Sequence, residues 1–189
     1  MISTLIKTIT ASDIAAIDFV DGTSSVVLDD TYDEYMFVLT NINPATDSVS
    51  FGFQGNAAGQ SGFNETMTTT FFRAYHAEND SGADVGYQGD TSDQAQGAAT
   101  QMLTEPAALG SAADESLSGI LYLFDPSSTT YVTHFMARTT CNNQASGALN
   151  YCIDAHIAGY FNTTAAIDEI QFKTSSGNLD GVIQLYGIA

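Results

Sequence analysis

The sequence predicts an all-β protein, an antiparallel β-sandwich of jelly-roll-like character with about eight to eleven strands. Three observations carry this expectation. Apolar and polar residues alternate over short runs rich in Val, Ile, Tyr and Phe. These runs recur along the chain with Gly, Pro, Asn, Asp or Ser between them. Spacing of apolar residues at three and four, which a helix needs to bury one face, is scarce, and only Gln94–Leu103 admits a short helix.

Taken in order, Thr4–Thr10 and Ile14–Val20 mix β-branched and apolar residues, and Ser25–Leu28 is a brief run of the same kind. Tyr35–Ile42 opens on the unbroken apolar stretch Tyr35–Leu39, which suits a central strand covered on both sides. The link Asn43-Pro44-Ala45-Thr46-Asp47 has the turn chemistry of a short hairpin connection to Ser48–Gln54. In that strand Val49, Phe51 and Phe53 alternate with Ser50 and Gly52, so one face is expected to pack and the other to be small and open. Thr68–His76 follows, then Leu117–Phe124 and Tyr131–Thr139, separated by the turn residues Asp125-Pro126-Ser127-Ser128. Tyr151–Tyr160 sets Tyr151, Ile153, Ala155 and Ile157 on a core face. Ile167–Thr174 and Val182–Ile188 read as a closing hairpin around Ser176–Gly181. The last strand is the more apolar of the two, which predicts a place inside the sheet, with the terminus tied down.

At 189 residues the chain fits one domain spanning residues 1–189. A chain of this size buries about 70% of its extended surface, enough for a core without metal or disulfide. Residues 77–116 interrupt the strand rhythm. They are small, polar, Gly-rich and Ala-rich, an insertion of the kind that carries function or motion.

Four cations, Lys7, Arg73, Arg138 and Lys173, stand against 22 acids, a net charge of −18. Nucleic-acid binding needs clustered Lys and Arg to displace counterions, so that class is set aside. The N-terminus has no apolar core of a secretory signal, and no run reaches the roughly 20 apolar residues that span a bilayer as a helix. Sequons at Asn64-Glu65-Thr66 and Asn162-Thr163-Thr164 carry weight only in a secreted chain.

The chemistry-bearing constellations are sparse. Cys141 and Cys152 flank a ten-residue loop, and either a thiol pair or a disulfide across a hairpin fits that spacing. Cys152, Asp154 and His156 share one strand face, with His134 on a neighbouring run, but their spacing matches no zinc pattern. Asp29, Asp30 and Asp33, and separately Asp80 and Asp84, offer loop oxygens to Ca²⁺ without the spacing of an EF-hand. No nucleophile elbow is present, and His76, His134 and His156 all lie in strand-like runs, so no enzyme activity and no cofactor are expected. Tyr32, Tyr35, Tyr75, Tyr87 and Tyr160 are the candidates for stacking on a sugar, in a chain without Trp.

The blocks DDTYDEYMFVLTNINPATDSVSFGFQGN, TFFRAYHAEND, LSGILYLFDPSSTTYVTHFMA and IAGYFNTTAAIDEIQFKTSSGNLDGVIQLYGIA together resemble small virion proteins of tailed bacteriophages, especially phages of marine bacteria. The resemblance implies a non-enzymatic structural protein, made in the host cytoplasm without a signal peptide and displayed on the particle as a capsid decoration or fibre-like component. Its implied partners are other virion proteins and further copies of itself, with a trimer favoured. A glycan-binding, receptor-binding module of a tail fibre is the second expectation. No site residues carry over.

Overall fold

The structure, a computed structural model, describes residues 2–89, 92–145 and 149–189. Thirteen strands are present among the described residues: β1 (Ser3–Ile14), β2 (Ala16–Val20), β3 (Glu34–Pro44), β4 (Phe51–Ala57), β5 (Met67–Ala77), β6 (Ala83–Tyr87), β7 (Ala95–Gly97), β8 (Gln101–Met102), β9 (Leu117–Phe124), β10 (His134–Ala145), β11 (Leu149–Phe161), β12 (Ile167–Thr174) and β13 (Leu179–Ile188). They form two antiparallel sheets packed as a sandwich. The larger has nine strands in the order β1-β13-β3-β9-β10-β11-β5-β6, with β7 also on β5. The smaller runs β2-β12-β4-β8. The all-β sandwich is as the alternation predicts, whereas the strand count exceeds the expected eight to eleven because residues 77–116 contribute β6, β7 and β8. The jelly-roll detail does not follow from this order, which divides the strands nine to four.

Alternation explains the core directly. Tyr35, Phe37 and Leu39 of β3, Leu121 and Leu123 of β9, and Ile183 and Leu185 of β13 all point inward and are buried. They meet Ile17 and Phe19 of β2, Phe51 and Phe53 of β4, and Ile170 and Phe172 of β12 in one continuous cluster. Phe172 is its centre, with ring centroids 5.2 Å from Phe37, 6.1 Å from Phe51, 6.2 Å from Phe19 and 6.3 Å from Phe53. Tyr32 closes one end of the core by packing edge-on against Tyr35 and over Gly187, where a Cβ would sit 2.3 Å from its ring.

Several expected elements are placed differently. Ser25–Leu28 is not a strand, because Ser24 and Ser25 take positive φ and the Leu28 amide donates to the Asp21 carboxylate at 2.8 Å. Val26 and Leu28 are buried nonetheless. The Asn43–Asp47 link is not a hairpin turn, since β3 lies in the large sheet and β4 in the small one. The same holds at the other end of the sequence: β12 and β13 belong to different sheets, and the chain crosses between them through a turn that has Gly177 at φ 74°. β13 is an interior strand, paired with β1 on one side and β3 on the other, as its apolar composition predicts.

Two face assignments also change. Met36 and Val38 of β3 are only half-buried, so this strand is covered on one side, not two. Every residue of β4 is buried, so its small face is not open. The Gln54 amide nitrogen there bonds the carbonyls of Glu65, Ala98 and Ala99 at 2.9–3.1 Å, because loop backbone lies over that face and needs a donor.

Residues 77–116, apart from 90 and 91, which lie outside the described residues, are strands and packed loop. No helix occurs among the described residues, and Gln94–Leu103 contains β7 and β8. β6 and β7 add to the large sheet at β5, while Leu103 and Leu109 bond the backbone of Phe51 and Val49 beside β4. Leu103, Ala108 and Leu109 are buried by this arrangement. Composition hid the apolar anchors because they are single residues among Gly and Ala, without a period.

Candidate functional site

The sequence-nominated residues do not converge. Asp29, Asp30 and Asp33 lie in the loop before β3, where the Thr31 side chain, and then its amide donating to Asp29 at 2.8 Å, hold the Asp29 carboxyl below the usual range. Asp80 lies at the far end of β5, its carboxylate 3.2 Å from His76, and Asp84 is on edge strand β6. Among the described residues no three His, Cys, Asp or Glu side chains are grouped to hold a metal ion. Cys152, Asp154 and His156 do share a face of β11, but Asp154 is engaged by Arg138 in a two-pronged ion pair of 2.8 and 2.9 Å. That pair holds the Asp154 carboxyl below its usual range, so its small surface contribution is present above the ordinary carboxylate range and fades as pH falls through the lowered value.

Both cysteines are free. Cys141 pairs in register with Ile153 and Cys152 with Asn142, an offset of one residue that sends the two thiols to opposite faces of the sheet. Burial pushes the Cys141 thiol up to about 12. The tip of the intervening loop, residues 146–148, lies outside the described residues.

The tyrosines are dispersed as well. Tyr35 is fully buried and donates its hydroxyl to the Asp29 carbonyl at 2.9 Å, so it is core. Tyr160 stands beside His134, and Tyr87, on the β6 edge, donates to Asp93 at 2.6 Å. Tyr32 belongs to the core end described above.

What the fold does bring together is an apolar outer face on the large sheet. Because successive side chains on a strand alternate, the register places Leu5, Tyr186, Met36, Tyr122, Met136 and Ala158 in one row across six strands. The next row runs through Val38, Ile120, Arg138, His156, Phe72 and Tyr87. Met136 is 52% exposed, Phe72 47% and Tyr87 57%. His156 stacks on Phe72 at 4.8 Å, and a shallow groove of about 340 Å³ lies between Phe72, Ile120, Tyr122, Met136, Arg138 and His156.

This face is also poor in charge. Of the 22 acids, the five adjacent strands β3, β9, β10, β11 and β5 contain Glu34 and Asp154, and Asp154 is neutralised by Arg138. The face is not legible in the sequence, because the pattern within one strand does not show which strands lie beside it. The apolar residues Ile120, Tyr122, Met136 and Phe72 become a patch only when β9, β10, β11 and β5 lie side by side.

A second feature lies on the opposite, inner side of β5 and β11. The small sheet stops short here, and the loop after β8 covers β10, where the Thr139 hydroxyl donates to the Leu103 carbonyl at 2.5 Å. Arg73, Tyr75, Glu105, Asn143, Tyr151 and Ile153 line the resulting cleft of about 230 Å³. The Arg73 Nε donates to the Glu105 carboxylate, and both side chains are less than one-fifth exposed. The Arg73 guanidinium lies 4.4 Å from the Tyr75 ring centre, and Tyr75 meets Tyr151 edge-on at 5.3 Å. Asp84 sits opposite Tyr75 in the ladder.

No family model matches the chain, and comparison with curated proteins and with solved structures finds no match.

Proposed function

We propose that this chain is a non-enzymatic structural component of a bacteriophage virion, displayed on the particle exterior as a capsid decoration or fibre-like part. In this reading it assembles with a second copy of itself through the outer face of the nine-stranded sheet. The observation that carries the assembly is the apolar, acid-poor row from Leu5 to Ala158. Proteins that work as monomers rarely leave a contiguous apolar patch larger than a few hundred Å² in water, on the order seen at functional surfaces. The charge argues for a like partner. Two copies at −18 each repel over most of their surfaces, and repulsion is least where the two acid-poor faces meet. The virion assignment itself rests on the resemblance of the four sequence blocks.

One self-complementary face closes as a two-fold pair, whereas the trimer implied by the resemblance needs two different patches. Sedimentation of the full chain at micromolar concentration is expected to give a dimer. Met136→Glu, at a half-exposed position, is expected to give a folded monomer with the wild-type circular dichroism spectrum and a melting temperature that no longer rises with protein concentration. A monomeric wild-type protein, or a trimer that Met136→Glu leaves intact, removes the outer face as the assembly surface. The virion reading is tested separately by labelling phage particles with an antibody to this chain. Signal on the outside of the particle is the expected result, and particles that lack the protein would sink the assignment.

A further inference from the structure

We infer that the cleft between β5, β11 and the Glu105 loop binds one residue of a neutral saccharide. The inference is independent of the assembly above, since the cleft and the outer face lie on opposite sides of the same strands. It rests on the chemistry of the lining. Tyr75 and Tyr151 meet at 84° and make an aromatic corner whose hydroxyl ends are polar, the pairing of apolar body and wet tip that suits the C–H and O–H surfaces of a sugar ring.

The charged groups in the cleft cancel each other. Arg73 is held between the Glu105 carboxylate and the Tyr75 ring, which fixes its remaining N–H donors in place before any ligand arrives. Glu105 offers acceptor lone pairs and Asn143 offers both a donor and an acceptor. A ligand bearing hydroxyls, each donor and acceptor at once, can pair with all of these. An anionic ligand finds no free cation there and meets the field of a chain at −18, and a cationic one finds a carboxylate already matched. The volume of about 230 Å³ is below the roughly 300–1,000 Å³ of drug-sized pockets, so a single ring and not an extended chain is accommodated.

This site differs from the sugar surface expected from the sequence. It uses Tyr75 but not Tyr32, Tyr35, Tyr87 or Tyr160, adds Tyr151, and needs no Ca²⁺.

The test is an array of neutral and anionic oligosaccharides probed with the full chain, with and without EDTA, followed by calorimetric titration of the strongest neutral binder. Binding to neutral glycans that EDTA leaves unchanged is expected. Asn143→Ala and Tyr151→Phe, both at partly exposed positions, are expected to weaken it about tenfold. Met136→Glu is expected to leave it unaltered, which separates failure of this site from failure of the assembly face. The proposal is overturned by an array without signal, by binding confined to anionic glycans, by signal that EDTA abolishes, or by affinity that neither cleft variant changes.

Discussion

Phe172→Ala is expected to cost about 3–5 kcal/mol, the range for removing a fully buried aromatic ring. Domains of this kind have only about 5–15 kcal/mol of net stability, so the variant should unfold at a much lower denaturant concentration or fail to fold at all. Position explains the severity. Phe172 is in the middle of β12, between Ile17 of β2 and Phe53 of β4, and its ring reaches across to Phe37 of the large sheet. The flanking backbones are fixed by ladders on both sides, so the cavity left by the ring cannot collapse. Phe172→Leu, which refills part of the volume, should recover a large part of the loss. Equilibrium unfolding in urea, followed by circular dichroism, checks both variants. A Phe172→Ala protein within about 1 kcal/mol of wild type would show that the two sheets are not held together at this ring.

Deletion of Leu185–Ala189 is expected to give insoluble protein. These residues form the last half of β13, which pairs with Ser3–Lys7 of β1 on one side and Glu34–Phe37 of β3 on the other. Leu185 is fully buried and Ile188 is 7% exposed, so the deletion removes core and ladder together. It would free the first half of β1 and expose an unpaired, apolar edge on β3, the condition that promotes edge-to-edge aggregation. Removing Ala189 alone deletes two backbone bonds with Ile2, of 3.0 and 3.3 Å, and should leave solubility intact. A soluble longer truncation with a wild-type melting curve would make this strand dispensable.

The strand content was legible because alternation is local. In Tyr151–Tyr160 the period of two alone sets Ile153, Ala155 and Ile157 on one face and Cys152, Asp154 and His156 on the other, and the structure keeps that division. The interior place of β13 was legible for a related reason, since few polar residues remain to face water. The candidate site was not legible. The period of two places Tyr151 on the core face, and it is on that face. Its partial exposure arises because the small sheet ends before reaching it, which no residue near Tyr151 encodes.

The sequence by itself determined that the chain is β-rich, which residues of each strand share a face, and that its closing strand is buried. The tertiary structure decided which sheet each strand joins. It turned the Asn43–Asp47 and Ser176–Gly181 links from hairpins into crossings and drew residues 77–116 into both sheets. It also set the register that sends Cys141 and Cys152 to opposite faces and lines up Leu5 through Ala158. The physical reason is one of range. The period of two is written in neighbouring side chains, whereas a strand's partner is chosen by cross-sheet packing, such as Phe172 against Phe37, between residues far apart in the chain.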